Sequence, residues 1–240
     1  REWMVVDTAG RFLTQRELPQ LALVAVTADA AGLTLHAADV SALTVPYSTA
    51  GAAMEVAVWG HQGRGIDAGH AAAAWLSTCL GATVRLVRFD RTTPRPCNPE
   101  YVGATGAHTL FADGYPVLVI GTASLSDLNA RLATRGIGAL PMNRFRPNVV
   151  LEGLPAYAED HLDTIRIGNV GLQCVKPCTR CNVTTTDQNT AHVGLEPLRT
   201  LGEYRMDERL GGVTFGMNAI VPSGAGRTIA CGDDARVDYR

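Results

Sequence analysis

Short apolar runs broken by glycine turns constrain this chain more than any other feature. Residues 3–7 and 12–14 flank Thr8-Ala9-Gly10, and residues 21–26 and 33–37 flank Asp29-Ala30-Ala31-Gly32. Each pair reads as a β-hairpin, because glycine supplies the turn backbone and the flanking runs are apolar enough to pair. Residues 54–59 and 84–89 add two more strands. Strands this short at this spacing predict a small barrel or sandwich. One helix interrupts them. Asp67 is placed to cap it, Ala72, Trp75, Leu76, Cys79 and Leu80 form its apolar stripe, and Gly81 is its stop.

Residues 90–115 are rich in Pro, Gly, Thr and Ala with little periodicity, which reads as a connection between two domains, 1–90 and 91–240. Beyond it, residues 117–120 form a buried-strand run. Ser124-Leu125-Ser126-Asp127 resembles a capping box, opening a helix with Leu125, Leu128 and Leu132 on its apolar side and Gly136 or Gly138 at its end. Pro147 forces an extended backbone on either side of it and leads into a strand at 149–151. Arg146 and Asn148 then stand two apart at a strand entrance and point the same way. The remainder reads as short strands and loops, with a helix at 197–204. The fold class is therefore mainly β with a few helices.

The totals exclude several function classes. A formal net charge of −2 provides no field to gather nucleic acid or an anionic membrane. No apolar run approaches the roughly 18 residues of a membrane-spanning helix. Six unevenly spaced cysteines do not make a secreted disulfide framework, so a cytoplasmic location is expected. Gly63-Arg64-Gly65 and Gly103-Ala104-Thr105-Gly106 lack the strand-and-helix setting of a nucleotide loop, and no G-x-S-x-G elbow is present.

Chemistry concentrates in residues 175–187, where Cys178 and Cys181 stand three apart among Lys176, Thr179, Arg180 and a run of threonines. Ordered polar groups must offset their own entropy and desolvation, so such a cluster implies that something is held. Three readings are open. The two cysteines could form a disulfide. They could join Cys174 and His192 in a zinc site. Or one thiolate could ligate a soft metal, with Lys176, Arg180 and Thr179 handling an anion beside it.

The run Lys176-Pro177-Cys178-Thr179-Arg180-Cys181, followed by Thr184-Thr185 and Asp187, resembles the signature of the MOSC domain, named for the molybdenum cofactor sulfurase C-terminus. Phe145-Arg146-Pro147-Asn148, Ala156-Tyr157-Ala158-Glu159-Asp160, Ile167-Gly168 and Phe215-Gly216 follow the same family's order and spacing. Arg1-Glu2-Trp3 and Phe12-Leu13-Thr14-Gln15-Arg16 resemble the β-barrel domain that precedes MOSC in the branch of the amidoxime-reducing components. That resemblance implies an N-terminal β-barrel domain entered part-way along, with further residues and any targeting signal expected ahead of Arg1, and then a MOSC β-barrel.

The resemblance also implies the chemistry. Cys181 is the expected molybdenum ligand and catalytic residue, and Cys178 a packing neighbour. Arg146 and Asn148 are expected to reach the pterin and its phosphate. Arg1 matches a phosphate-binding arginine, Arg16 assists it, and Thr179 and Arg180 contact the cofactor. The cofactor is molybdenum-molybdopterin; pyridoxal phosphate binding attaches only to the superfamily at large. The implied reaction removes oxygen from a small N-hydroxylated substrate. Because residues up to Arg240 contain no C-x4-C-x2-C run, a separate ferredoxin, flavin or haem protein is expected to deliver the electrons. The alternative is a non-catalytic carrier of the cofactor or of sulfur.

Overall fold

The computed structural model describes residues 1–47 and 51–240. The chain divides into two compact units. One comprises Arg1–Arg95, Leu110–Asp113 and Thr186–Gly194, and the other Pro96–Thr109, Gly114–Thr185 and Leu195–Arg240.

In the first unit, β1 (Trp3–Val6), β5 (Ala53–Val58), β6 (His61–Asp67) and β7 (Arg85–Phe89) form a sheet in the order β1-β7-β6-β5, while β2 (Ala25–Ala28), β3 (Gly32–Ala37) and β4 (Val40–Pro46) form a meander. The expected hairpin at residues 3–14 is shallow. Val6 bridges Phe12, but the main partner of β1 is β7, four residues in antiparallel register. The expected strand at 21–26 begins only at Ala25, because Pro19–Leu23 forms a 3-10 helix with the proline at its start. Proline fixes φ near the helical value and gives no N–H to a ladder. Two strands, β4 and β6, had no clear sequence pattern; β6 is polar and carries Gly63 and Gly65.

Helix α1 (His70–Leu80) buries Ala72, Trp75, Leu76 and Leu80 against Leu35, Val45 and Leu86. The Trp75 indole N–H donates to Ser41 O at 2.7 Å. Gly81 ends the helix with φ of 63°, as a left-handed stop requires. Asp67 is not the cap. Gly69 holds that position, and Asp67 instead accepts from Gly69 N and from the Arg85 guanidinium.

Arg95–Pro96 (β8), the short helix α2 (Pro99–Val102) and His108–Thr109 (β9) lie where the chain changes unit. The second unit holds a sheet in the order β11-β10-β15-β13-β12-β16, with β14 paired to β15. Its strands are β10 (Val117–Gly121), β11 (Val149–Leu151), β12 (Leu162–Ile167), β13 (Val170–Thr179), β14 (Met206–Asp207), β15 (Gly212–Ser223) and β16 (Ala235–Tyr239). The two central strands are longer than the short ones expected, because β13 and β15 run on through irregularities in their pairing. One sheet face packs Leu162, Ile165, Leu172, Cys174 and Met217. The other cluster joins Ile120, Phe145, Leu201 and Phe215 to Leu128 and Leu132 of α3 (Thr122–Thr134). Helix α4 (Leu198–Gly202) matches the helix expected at 197–204.

Among the described residues no helix is long and apolar enough to cross a membrane. Gly216 shows why Phe215-Gly216 needs a glycine. Its φ is 81°, and a Cβ there would lie 2.6 Å from Ile120 Cγ1 and 2.7 Å from Val119 O. Gly216→Ala is expected to cost about 3 kcal/mol, from left-handed strain plus overpacking. A urea melt showing a midpoint equal to wild type would contradict this account of the β10–β15 contact.

Candidate cofactor site

Strand β13 delivers the motif. Its pairing with β15 shifts register between Cys174 and Lys176 and again between Pro177 and Thr179. Proline cannot donate to a ladder and is tolerated at such irregularities, which bend a strand and re-aim its side chains. Thr179 ends the strand with its side chain exposed, and Arg180 N donates to Val213 O at 2.7 Å. Cys181 follows, half-buried, at the head of the 3-10 turn Asn182–Thr185.

The threonines close that turn. Cys181 O accepts from Thr184 N at 3.1 Å and from Thr184 Oγ1 at 2.9 Å, while Thr185 Oγ1 donates to Asn182 O at 2.7 Å. Thr184, Thr185 and Thr186 are buried. The hydroxyls of Thr184 and Thr185 are thus bound to local carbonyls.

Two arginines brace the loop from opposite sides. Arg180 donates through Nη1 to Cys178 Sγ at 3.0 Å and through Nη2 to Phe145 O at 2.7 Å, with its guanidinium carbon 5.7 Å from the Phe145 ring centroid. Its Nε is buried and meets no acceptor. The Arg180 side chain therefore ties the cysteine motif to the turn before Arg146. Arg144 runs the other way, Nη1 donating to Thr185 O at 3.0 Å. Arg144 escaped the sequence reading, since a bond to a backbone carbonyl leaves no mark in residue type.

The turn these struts grip departs from expectation. Pro147 was expected to hold both neighbours extended, yet Arg146 has φ of 55°. A left-handed arginine is uncommon, and the residue before proline is normally pushed to extended backbone. The 3-10 turn Met142–Arg144 imposes it, with Phe145 N and Arg146 N donating back to Met142 O and Asn143 O. The simple alternation that would align Arg146 with Asn148 therefore fails. Arg146 is exposed. Asn148 clasps β10, its N–H donating to Leu118 O and its Oδ1 accepting from Leu118 N, both at 2.9 Å. That clasp starts the parallel β10–β11 pair and leaves the Nδ2 amide as a donor.

Arg1 and Arg16 belong to the first unit. Arg1 Nη1 pairs with Asp113 Oδ1 at 2.9 Å, both side chains well exposed. The Arg16 guanidinium lies 4.5 Å from the Trp59 ring centroid. In the second unit the structure gathers Thr179, Arg180, Cys181 and the Arg146–Asn148 turn through the Arg180 and Arg144 struts.

The other cysteines separate cleanly. None of the six is disulfide-bonded. Burial places Cys174 in the core and pushes its thiol up to about 11. No three of His, Cys, Asp and Glu gather as a metal cluster among the described residues, so neither Cys174 nor His192 completes a zinc cage. Lys176, the single lysine of the chain, has its Nζ 4.6 Å over the Tyr101 ring. That contact gives Lys176 a local role. A further cleft of about 500 Å³ opens beside Pro177, lined by Asp160, Tyr204, Arg205 and Thr214. Asp160 and Arg205 pair across it at 2.6 Å.

Residues 106–236 match the MOSC domain model, and residues 1–83 match the MOSC N-terminal beta barrel domain. The chain belongs to the MOSC family. This MOSC chain is 36% identical to mitochondrial amidoxime-reducing component 1 of Homo sapiens over 85% of its own length and 61% of that protein. It is 37% identical to component 1 of Mus musculus, over 86% and 61%, and 33% identical to component 2 of Bos taurus, over 86% and 62%. The chain thus spans about three fifths of the length of these relatives.

The residues fit a molybdopterin cofactor by their chemistry. The half-buried Cys181 stands on a braced loop, and its thiolate is a soft donor of the kind a soft metal takes from protein. Arg180 and Arg144 link this loop to the turn that carries Arg146 and Asn148, and a guanidinium and an amide are groups that suit a phosphate and a pterin edge.

Proposed function

We propose that this MOSC chain holds molybdenum-molybdopterin through the Cys181 thiolate and reduces N-hydroxylated compounds with electrons from a separate ferredoxin, flavin or haem protein. The observation that carries the reading is the placement of Cys181. Cys181 is half-buried rather than sealed in the core, and its carbonyl and the threonines after it are committed to the turn. A ligand on a loop braced by Arg180 and Arg144 meets a metal with little reorganisation. The names of the relatives, amidoxime-reducing components, support the substrate class.

When bound, the cofactor supplies the two-electron chemistry that, with two protons, turns an amidoxime into an amidine and water. The chain's own groups bind and orient. Arg146 offers a guanidinium fork to the phosphate, and its left-handed backbone is the sort of strain that persists where surrounding structure over-determines it. Asn148 Nδ2 and the Thr179 hydroxyl donate toward the pterin. In the first unit, Arg1 and Arg16 are the residues that would supply positive charge to a phosphate; in the second, Arg180 would hold the loop that carries Cys181 and contact the cofactor from there.

Elemental analysis of the purified protein, joined to a benzamidoxime reduction assay with an artificial reductant, tests the proposal. Bound molybdenum with turnover is the expected result. Molybdenum without turnover would make the chain a carrier, and zinc in its place would leave only a metal-stabilised barrel.

A further inference from the structure

A tryptophan occupies a backbone position that favours glycine. Strands β5 and β6 are joined by the two-residue turn Trp59-Gly60, closed by the Val58–His61 pair. Trp59 has φ of 54°, whereas Gly60 beside it lies outside the left-handed region. In such turns the position with positive φ suits Gly, Asn or Asp, and a bulky side chain there is a genuine outlier. Burial does not repay the strain, because Trp59 is 47% exposed.

The ring makes two contacts that account for its presence. Phe12 packs at a centroid distance of 5.0 Å, and the Arg16 guanidinium carbon lies 4.5 Å from the indole centroid. At that distance the cation is attracted to the face of the ring. A stacked guanidinium uses its flat face and keeps its planar fork of N–H donors at its edge, the part that binds oxyanions. The Arg16 backbone is held as well, its N–H donating to Thr14 Oγ1 at 3.1 Å.

We propose that Trp59 is a positioning residue that holds the Arg16 guanidinium for an oxyanion of the phosphate class. The inference rests on reading Arg16 as a phosphate ligand of the cofactor. Trp59 would not touch the anion. It would restrict the long arginine side chain beforehand, so that less freedom is lost on binding.

Asparagine tolerates left-handed backbone, so Trp59→Asn removes the ring while relieving the turn. The probe is inorganic pyrophosphate, titrated calorimetrically into the full chain isolated from a host that cannot make the cofactor. Trp59→Asn is expected to weaken pyrophosphate binding about fivefold, the scale of one cation–π contact, without lowering the thermal midpoint. Trp59→Phe, which keeps a ring, is expected to restore affinity to within about twofold of wild type. A purely structural tryptophan would give the opposite pattern, with the midpoint falling and the affinity unmoved, and that overturns the inference. Arg16→Gln separates the two readings. Weaker binding in Arg16→Gln with none lost in Trp59→Asn sinks only the role of Trp59. Unchanged binding in Arg16→Gln, or no pyrophosphate binding by the wild-type chain, sinks the phosphate reading of Arg16 and this inference with it.

Discussion

Cys181→Ser is expected to leave the protein folded and to remove N-reductive turnover by more than a hundredfold. Changing groups that merely orient a metal's ligands costs about 10- to 100-fold, and replacing the proposed ligand should cost more. The exchange swaps a soft sulfur for a hard hydroxyl that does not ionise near neutral pH, so molybdenum content should fall alongside activity. Stability should barely move. Two bonds of residue 181 run through its carbonyl, which accepts from Thr184 N and Thr184 Oγ1, and serine keeps that carbonyl. Cys178→Ser is the matched comparison. Its sulfur accepts from Arg180 Nη1 at 3.0 Å, and a serine oxygen can accept the same bond. That variant should retain molybdenum and most of its turnover. Urea melts, metal content and benzamidoxime reduction measured on both proteins decide the matter. An ordinary rate in Cys181→Ser removes the thiolate from the mechanism, and equal losses in both variants would make the pair of cysteines structural.

What could be read beforehand follows from how local each feature is. The Gly81 stop, the apolar stripe of α1 and the helix near residue 200 depend on neighbours in sequence, and the structure has them. The left-handed Arg146 could not be read, because a local rule for the residue before proline is overridden by the 3-10 turn preceding it. The Arg180 and Arg144 struts end on the carbonyls of Phe145 and Thr185, acceptors that every residue carries. Their partners are therefore invisible in residue type. Strand β6 hid for a related reason. Its glycines and polar residues pair on both sides through backbone, between β5 and β7, without an alternating apolar signature. Ser124 misled in the other direction. It looks like a helix cap by composition, yet it lies inside the first turn of α3 with its hydroxyl turned to a distant acid.

That acid carries the largest stability effect expected in the second unit. Glu159 is fully buried, and both oxygens are occupied: Oε1 accepts from Gly121 N at 3.0 Å and Oε2 from Ser124 Oγ at 2.7 Å. Ser124 Oγ in turn accepts from Tyr157 N at 2.8 Å, so one carboxyl group closes a chain of bonds at the start of α3. Helix N-termini leave backbone donors unpaired and favour negative charge, so Glu159 acts as a cap from 35 residues beyond Ser124. Gly121 permits the approach, since a Cβ there would already lie 3.0 Å from Glu159 Oε2. Glu159→Ala strands two buried donors and opens a cavity, and is expected to cost about 4 kcal/mol. Glu159→Gln keeps one acceptor but sets an NH₂ against the other donor, which should cost about 2 kcal/mol. Asp160→Asn, next in sequence but outside this chain of bonds, should leave the Ser124 and Gly121 donors satisfied and so show no slowing or quickening of exchange at Gly121. Hydrogen exchange of the Gly121 amide, followed with urea midpoints, separates these outcomes: protection lost in Glu159→Ala and kept in Asp160→Asn is the expected pattern. Equal protection in wild type and Glu159→Ala would mean that the helix holds its own N-terminus and that the buried acid serves another purpose.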